Sequence, residues 1–136
     1  MYLELQQMEA LYIRGTGTIA IGHLPIKVAQ HLGAPLQIAY LSGESVRHII
    51  DLHPDISLID MLCLPLMIQD GLWVADKISA AACVYRHPEN GNQYKAAVKA
   101  TAEGFETYIS TFHRCADRQL QGILKRGPVL RGTVIK

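Results

Sequence analysis

No run of apolar residues in this chain approaches the ~18 that a membrane span requires. The opening residues, MYLELQQMEALYIRG, carry no basic end, apolar middle and small-residue cleavage site of the kind that marks a signal peptide. Cytosolic residence is the expectation. Cysteine is scarce: Cys63, Cys83 and Cys115 are odd in number and far apart, which excludes a disulfide framework and a CxxC metal clip. Cys63 and Cys83 read as small hydrophobes in apolar runs. Gly15 and Gly17 suggest a phosphate loop, but no Gly-Lys-Ser/Thr follows them and the Walker pattern is absent. There is no internal repeat and no low-complexity segment.

What is present describes one folded domain, residues 1–136, with 49% hydrophobic and only 18% charged residues. The net charge of +1 conceals an uneven distribution. Residues 1–70 hold three Lys/Arg against seven Asp/Glu, whereas residues 113–136 hold six Lys/Arg against Asp117 alone. A basic C-terminal third can guide a polyanion by focusing its field, and the acidic first half excludes a general nucleic-acid coat.

The N-terminal half reads as mainly helical. Leu11–Arg14 and Thr18–Gly22 could form a small hairpin about Gly15-Thr16-Gly17. A short helix over Leu24–Leu32 should stop at Gly33, with His31 on its exposed side. Leu36–Leu41 is the best strand of this half. Ser42 is suited to N-cap a helix running to about Leu52, ended by His53-Pro54. Ser57 and Asp60 have capping-box spacing, and the following helix should break near Pro65. His48 and His53 are five apart, which does not place two imidazoles on one metal, so solvated or capping roles are expected.

From Gly71 the pattern turns to strands. Leu72–Asp76, Ile78–Arg86 and the alternation from Gln93 to Thr101 read as consecutive antiparallel strands, with a turn cluster over residues 87–92. A basic helix over about Arg114–Lys125 follows, then Gly127-Pro128, and Val129-Leu130 with Thr133–Ile135 can supply an edge strand. The fold class is α+β: N-terminal helices packed on a four- or five-stranded antiparallel sheet with a C-terminal helix.

The chain is organised around the stretch from Gln93 to Arg126, a hairpin followed by the basic helix. A three-residue Ala102-Glu103-Gly104 loop places Thr101 opposite Phe105, Lys99 opposite Thr107, Lys95 opposite Thr111 and Gln93 near His113. One face then collects Lys95, Lys99, Thr101, Thr107, Thr111 and His113, with Phe105 and Ile109 as its large apolar members. Such a face suits a phosphodiester, and it equally suits the ordinary solvent side of a sheet. A two-residue Glu-Gly turn would instead bring Tyr108 and Ser110 onto the lysine face.

The serial order of His31-Leu32-Gly33, Tyr40-Leu41-Ser42, His48, His53-Pro54, Val84-Tyr85-Arg86, Tyr94–Thr101 and Ser110-Thr111-Phe112-His113-Arg114 resembles the phage-borne branch of the BECR nucleases. That superfamily is named for barnase, EndoU, colicin and RelE. The resemblance spans about residues 20 to 130. It implies a cofactor-free, metal-independent endoribonuclease acting on tRNA or other structured RNA, found in bacterial cytoplasm or carried with virions. Carried over by position, His113 is the general acid or base, and Lys99 and Arg86 are phosphate clamps. Thr111 or Tyr94 orients the scissile group, with Lys95, Thr101, Arg114 and Arg118 as substrate contacts. Only one histidine falls in this set, and His48 or His53 could supply the second if the helices fold over the sheet. A toxic nuclease would have a neutralising antitoxin or immunity protein as partner. Two other readings are a non-catalytic phage or mobile-element interaction module and a small-molecule enzyme using an apolar cleft.

Overall fold

Serines and a glycine set the helix ends, and the computed structural model, which describes residues 5–34, 37–77, 79–101 and 106–132, shows how. Ser42 accepts a hydrogen bond from Ser45 N–H and starts α3 (Gly43–Leu52). Ser57 and Asp60 form a reciprocal capping box at α4 (Leu58–Met61). Pro65 lies in the first turn of α5 (Leu64–Asp70), so the expected break falls between these two elements. Gly33, at φ 66°, closes α2 (Ile26–Leu32) in the left-handed conformation. Leu11–Arg14 is the end of a helix, α1 (Leu5–Arg14), and not a strand. Its buried Met8 and Leu11, with Tyr12 partly buried, repeat at helical spacing, a period visible only over the longer window.

The strands are β1 (Thr18–His23), β2 (Ile38–Ser42), β3 (Leu72–Ala75), β4 (Ala80–Arg86), β5 (Gln93–Ala100), β6 (Thr107–Arg114) and β7 (Val129–Arg131). Among the described residues they form one seven-stranded sheet in the order β1-β2-β6-β5-β4-β3-β7. The α+β class holds, but the sheet is larger than four or five strands and is mixed. Two pairings account for the difference. β2 runs parallel to β6, with Ala39 beside Thr107 and Tyr40 beside Tyr108, which joins the antiparallel β1–β2 pair to the meander. At the other end β7 returns antiparallel to β3. The C-terminal helix α6 (Asp117–Leu124) starts later than expected, because Arg114 is still the last residue of β6. Thr133–Ile135 and the loop Ala102–Phe105 lie outside the described residues.

The main core lies between the N-terminal helices and one sheet face, where Trp73, Tyr94, Val98, Ile109 and Phe112 are fully buried. A smaller core on the opposite face packs Val74, Ala82 and Val84 against Cys115 and Ile123, with Leu120 and Leu124 alongside. Helix α6 therefore covers the β3–β4 side of that face.

The hairpin register departs from the simple expectation. Lys99 faces Tyr108 and Val98 faces Ile109, but Ala97 faces Thr111 and Lys95 faces His113. Ser110 is an extra residue, a β-bulge, and its hydroxyl donates to the Ala97 carbonyl at 3.1 Å. Before the bulge Tyr108 occupies the lysine face; after it the alternation is restored for Thr111 and His113. Thr107 and Ile109, expected beside the lysines, instead enter the main core. Thr107 is buried, with no hydrogen-bond partner for its hydroxyl among the described residues.

Candidate active site

Because alternate strand residues point to opposite faces, Lys95, Lys99, Tyr108, Thr111 and His113 share the face away from the main core. Tyr40 of β2 joins them, its ring 5.8 Å from that of Tyr108. Helix α3 leaves the end of β2 and packs alongside β6, filling the place where β2 stops pairing. It ends at His53, whose backbone N–H bonds the Ile49 carbonyl, and Pro54 prevents another turn. This termination sets the His53 ring 4.7 Å from the His113 ring, inclined by 32°.

His113 Nδ1 lies 2.8 Å from the Arg114 carbonyl oxygen. A carbonyl carries no proton, so Nδ1 must donate and Nε2 of the neutral ring is the basic nitrogen. Burial pushes the His113 pKa below its ordinary value, and the nearby His53 and Lys95 act in the same direction. The Arg114 carbonyl and Asp55 oppose them without reversing the shift. Lys95, directly across the strand pair, is also held below its ordinary value, by burial first and by Arg126 second. The arrangement is a half-buried imidazole pair beside a half-buried ammonium.

The remaining expected site residues divide by face and by distance. Thr111 is on the His113 face, half-buried. Lys99 is exposed on the same face but four positions along β5 from Lys95, roughly 13 Å at strand rise. Lys95 is therefore nearer to His113 than Lys99 is. Arg86 donates to the Gly91 carbonyl at 2.9 Å and pairs with Asp117 at 3.1 Å, tying the β4–β5 turn to α6. The Thr101 hydroxyl accepts from Glu106 N–H at 3.3 Å and closes the hairpin end. Arg118 is exposed on α6. His48 is exposed, and His31 Nε2 approaches the Lys77 and Ala80 carbonyls at 2.9 and 3.0 Å, so its contacts are with the sheet and not solvent alone.

Tyr94 and Arg114 belong to the other face. Fully buried Tyr94 donates its hydroxyl to Asp60 Oδ1 at 2.6 Å, while Arg114 stands 3.6 Å from Oδ2. Ser57 donates to Oδ2 through its N–H at 2.8 Å and its hydroxyl at 3.0 Å. Burial raises the Asp60 pKa, but the Ser57 and Tyr94 hydrogen bonds and the Arg114 charge outweigh it and hold the carboxyl below its ordinary value. Tyr94 thus anchors α4 to the sheet and does not reach the histidine pair. Asp60, which the sequence marks only as a capping residue, is the hub of this network.

The three cysteines are buried and unpaired. Among the described residues no three His, Cys, Asp or Glu side chains cluster to hold a metal ion, and no helix is long and apolar enough to cross a membrane. A cavity of about 660 Å³, lined by neither His53 nor His113, lies between β1, α5 and Arg131. No family model, curated protein or solved structure matches this chain.

Proposed function

We propose that the chain is a metal-independent endoribonuclease whose acid–base pair is His53 and His113. The observation that supports this reading is the apposition of the two rings on the lysine face, which supplies the second proton-transfer group missing from the linear motif. Neutral His113, with Nε2 free, would take the proton from a ribose 2′-OH. The 2′-oxygen then attacks phosphorus, and the bond from phosphorus to the 5′-oxygen breaks. Protonated His53 would give its proton to that leaving oxygen. The products are a 2′,3′-cyclic phosphate and a 5′-OH, and a second step adding water could restore the pair. The adjacent imidazoles place a proton donor and a proton acceptor within reach of one phosphodiester. Lys95 would stabilise the charge developing on the phosphate oxygens, and Lys99 and Tyr108 would hold the strand further along the face. A neutralising protein, if the nuclease is toxic, would meet the basic C-terminal third.

The competing reading is a non-catalytic interaction module of a phage or mobile element. One observation favours it: of the cations that the resemblance supplies, Arg86 is already paired and Lys99 stands away from the histidines. Cleavage of structured RNA in excess EDTA separates the two. Activity abolished by His113→Ala and by His53→Ala supports the nuclease. Failure of the wild-type protein to cut any RNA, including tRNA, supports the module.

A further inference from the structure

The two edges of the sheet are protected very differently. β7 is three residues long, follows Pro128 and ends in Arg131, features that discourage a further strand from pairing there. β1 reads TIAIGH over six residues, has no Lys or Pro, and among the described residues pairs with β2 alone. Its sole irregularity is a bulge between Ala20 and Gly22. Beside the bulged end, the 660 Å³ cavity opens between Gly22 and His23 of β1, Leu62 and Leu66 of the α4–α5 segment, and Arg131. A second hollow lined by Ile26, Lys27 and Val129 adjoins it through the shared Pro25 and Arg131. Three exposed large apolar side chains line these hollows: Ile26 at 65%, Val129 at 42% and Leu66 at 40% exposure.

Charge selects among occupants. The ionisable side chains lining the two hollows are His23, Lys27 and Arg131, with no carboxylate among them. The Arg131 guanidinium bonds the carbonyls of Ile68 and Gln69 at the end of α5 and has no acidic partner among the described residues. We infer that β1 and this hollow form a docking site for an extended acidic–apolar peptide segment of a partner protein. The peptide would add antiparallel or parallel to the free edge over Thr18–Ala20. It would then place an apolar side chain in the cavity and a carboxylate against Arg131. Main-chain pairing gives such a complex its affinity, and the pocket gives it its specificity.

The test uses the full chain and a fluorescein-labelled hexapeptide alternating Glu with Val, followed by anisotropy. Its Lys–Val counterpart and a version N-methylated at alternate amides serve as comparisons. Binding by the Glu–Val peptide is expected, with at least tenfold weakening in both comparisons and in Arg131→Glu and Leu66→Glu. Circular dichroism and thermal melts identify any variant that fails to fold, and the two altered peptides test the proposal on wild-type protein alone. No binding at millimolar peptide, equal binding of the lysine peptide, or equal binding of the N-methylated peptide would overturn it. RNA cleavage does not enter this experiment.

Discussion

Replacing Tyr94 with Phe removes one hydroxyl from a buried network and leaves the ring in place. Its hydroxyl donates to an ionised carboxylate at 2.6 Å, and Asp60 is only 5% exposed. Hydrogen bonds to charged groups contribute about 1.5–3 kcal/mol each, and Asp60 retains its Ser57 bonds in the variant, so a loss of about 2 kcal/mol is expected at pH 7. With an unfolding entropy of about 2.1 cal/mol/K per residue, that loss lowers Tm by roughly 7 °C. The pH dependence has a definite sign. The Asp60 pKa is lowered in the fold from its ordinary 3.8, so its stabilisation is present above 3.8 and is lost as pH falls through the folded value. The gap between wild type and Tyr94→Phe should therefore be full at pH 7 and narrow in acid below 3.8. Thermal melts across pH measure it. A shift under 2 °C at pH 7, or a gap that widens in acid, would refute the assignment of Tyr94 to this network.

Other consequences follow from the same geometry. His113 is held below 6.5 in the fold, so the folded state binds fewer protons than the unfolded chain as pH drops beneath that value. Acidifying from pH 7 to 5 should destabilise the wild type more than His113→Asn, measured by urea unfolding at both pH values. A Cβ at Gly43 would overlap the backbone of Gly15 and Thr16, so Gly43→Ala should cost several times the ~1 kcal/mol typical of a point mutation and depress Tm strongly. Burial raises the Cys83 thiol far above its ordinary range, and it should react with a thiol reagent only after unfolding, followed by mass spectrometry of the native protein.

Much of the local structure was legible because single residues decide it. Ser42, Ser57 with Asp60, Gly33 and Pro65 mark helix ends where capping chemistry requires them. The hairpin register was less accessible, since one bulge reverses every later side chain. A clue was present: Ile109 and Phe112 are three apart and both fully buried on one face, a spacing that strict alternation cannot provide. Read that way, Ser110 becomes the inserted residue and Ile109 leaves the lysine face. The parallel β2–β6 pair was not legible, because it joins segments far apart in sequence and involves few residues. That same pairing directs α3 along β6 and brings His53 to His113, so the most informative contact of the candidate site depended on topology. Tyr94 was misleading for a different reason: the resemblance carried it into the site by position, while its partner, Asp60, lies in a distant capping box.

The most direct test is cleavage of total bacterial RNA by the purified protein in excess EDTA, beside His53→Ala, His113→Ala and Tyr94→Phe. The account predicts cutting that leaves 2′,3′-cyclic phosphate ends, is lost in both histidine variants, and persists in Tyr94→Phe at a temperature where that variant is folded. Cutting that survives both histidine replacements would contradict the site, and absence of cutting by the wild type would contradict the function.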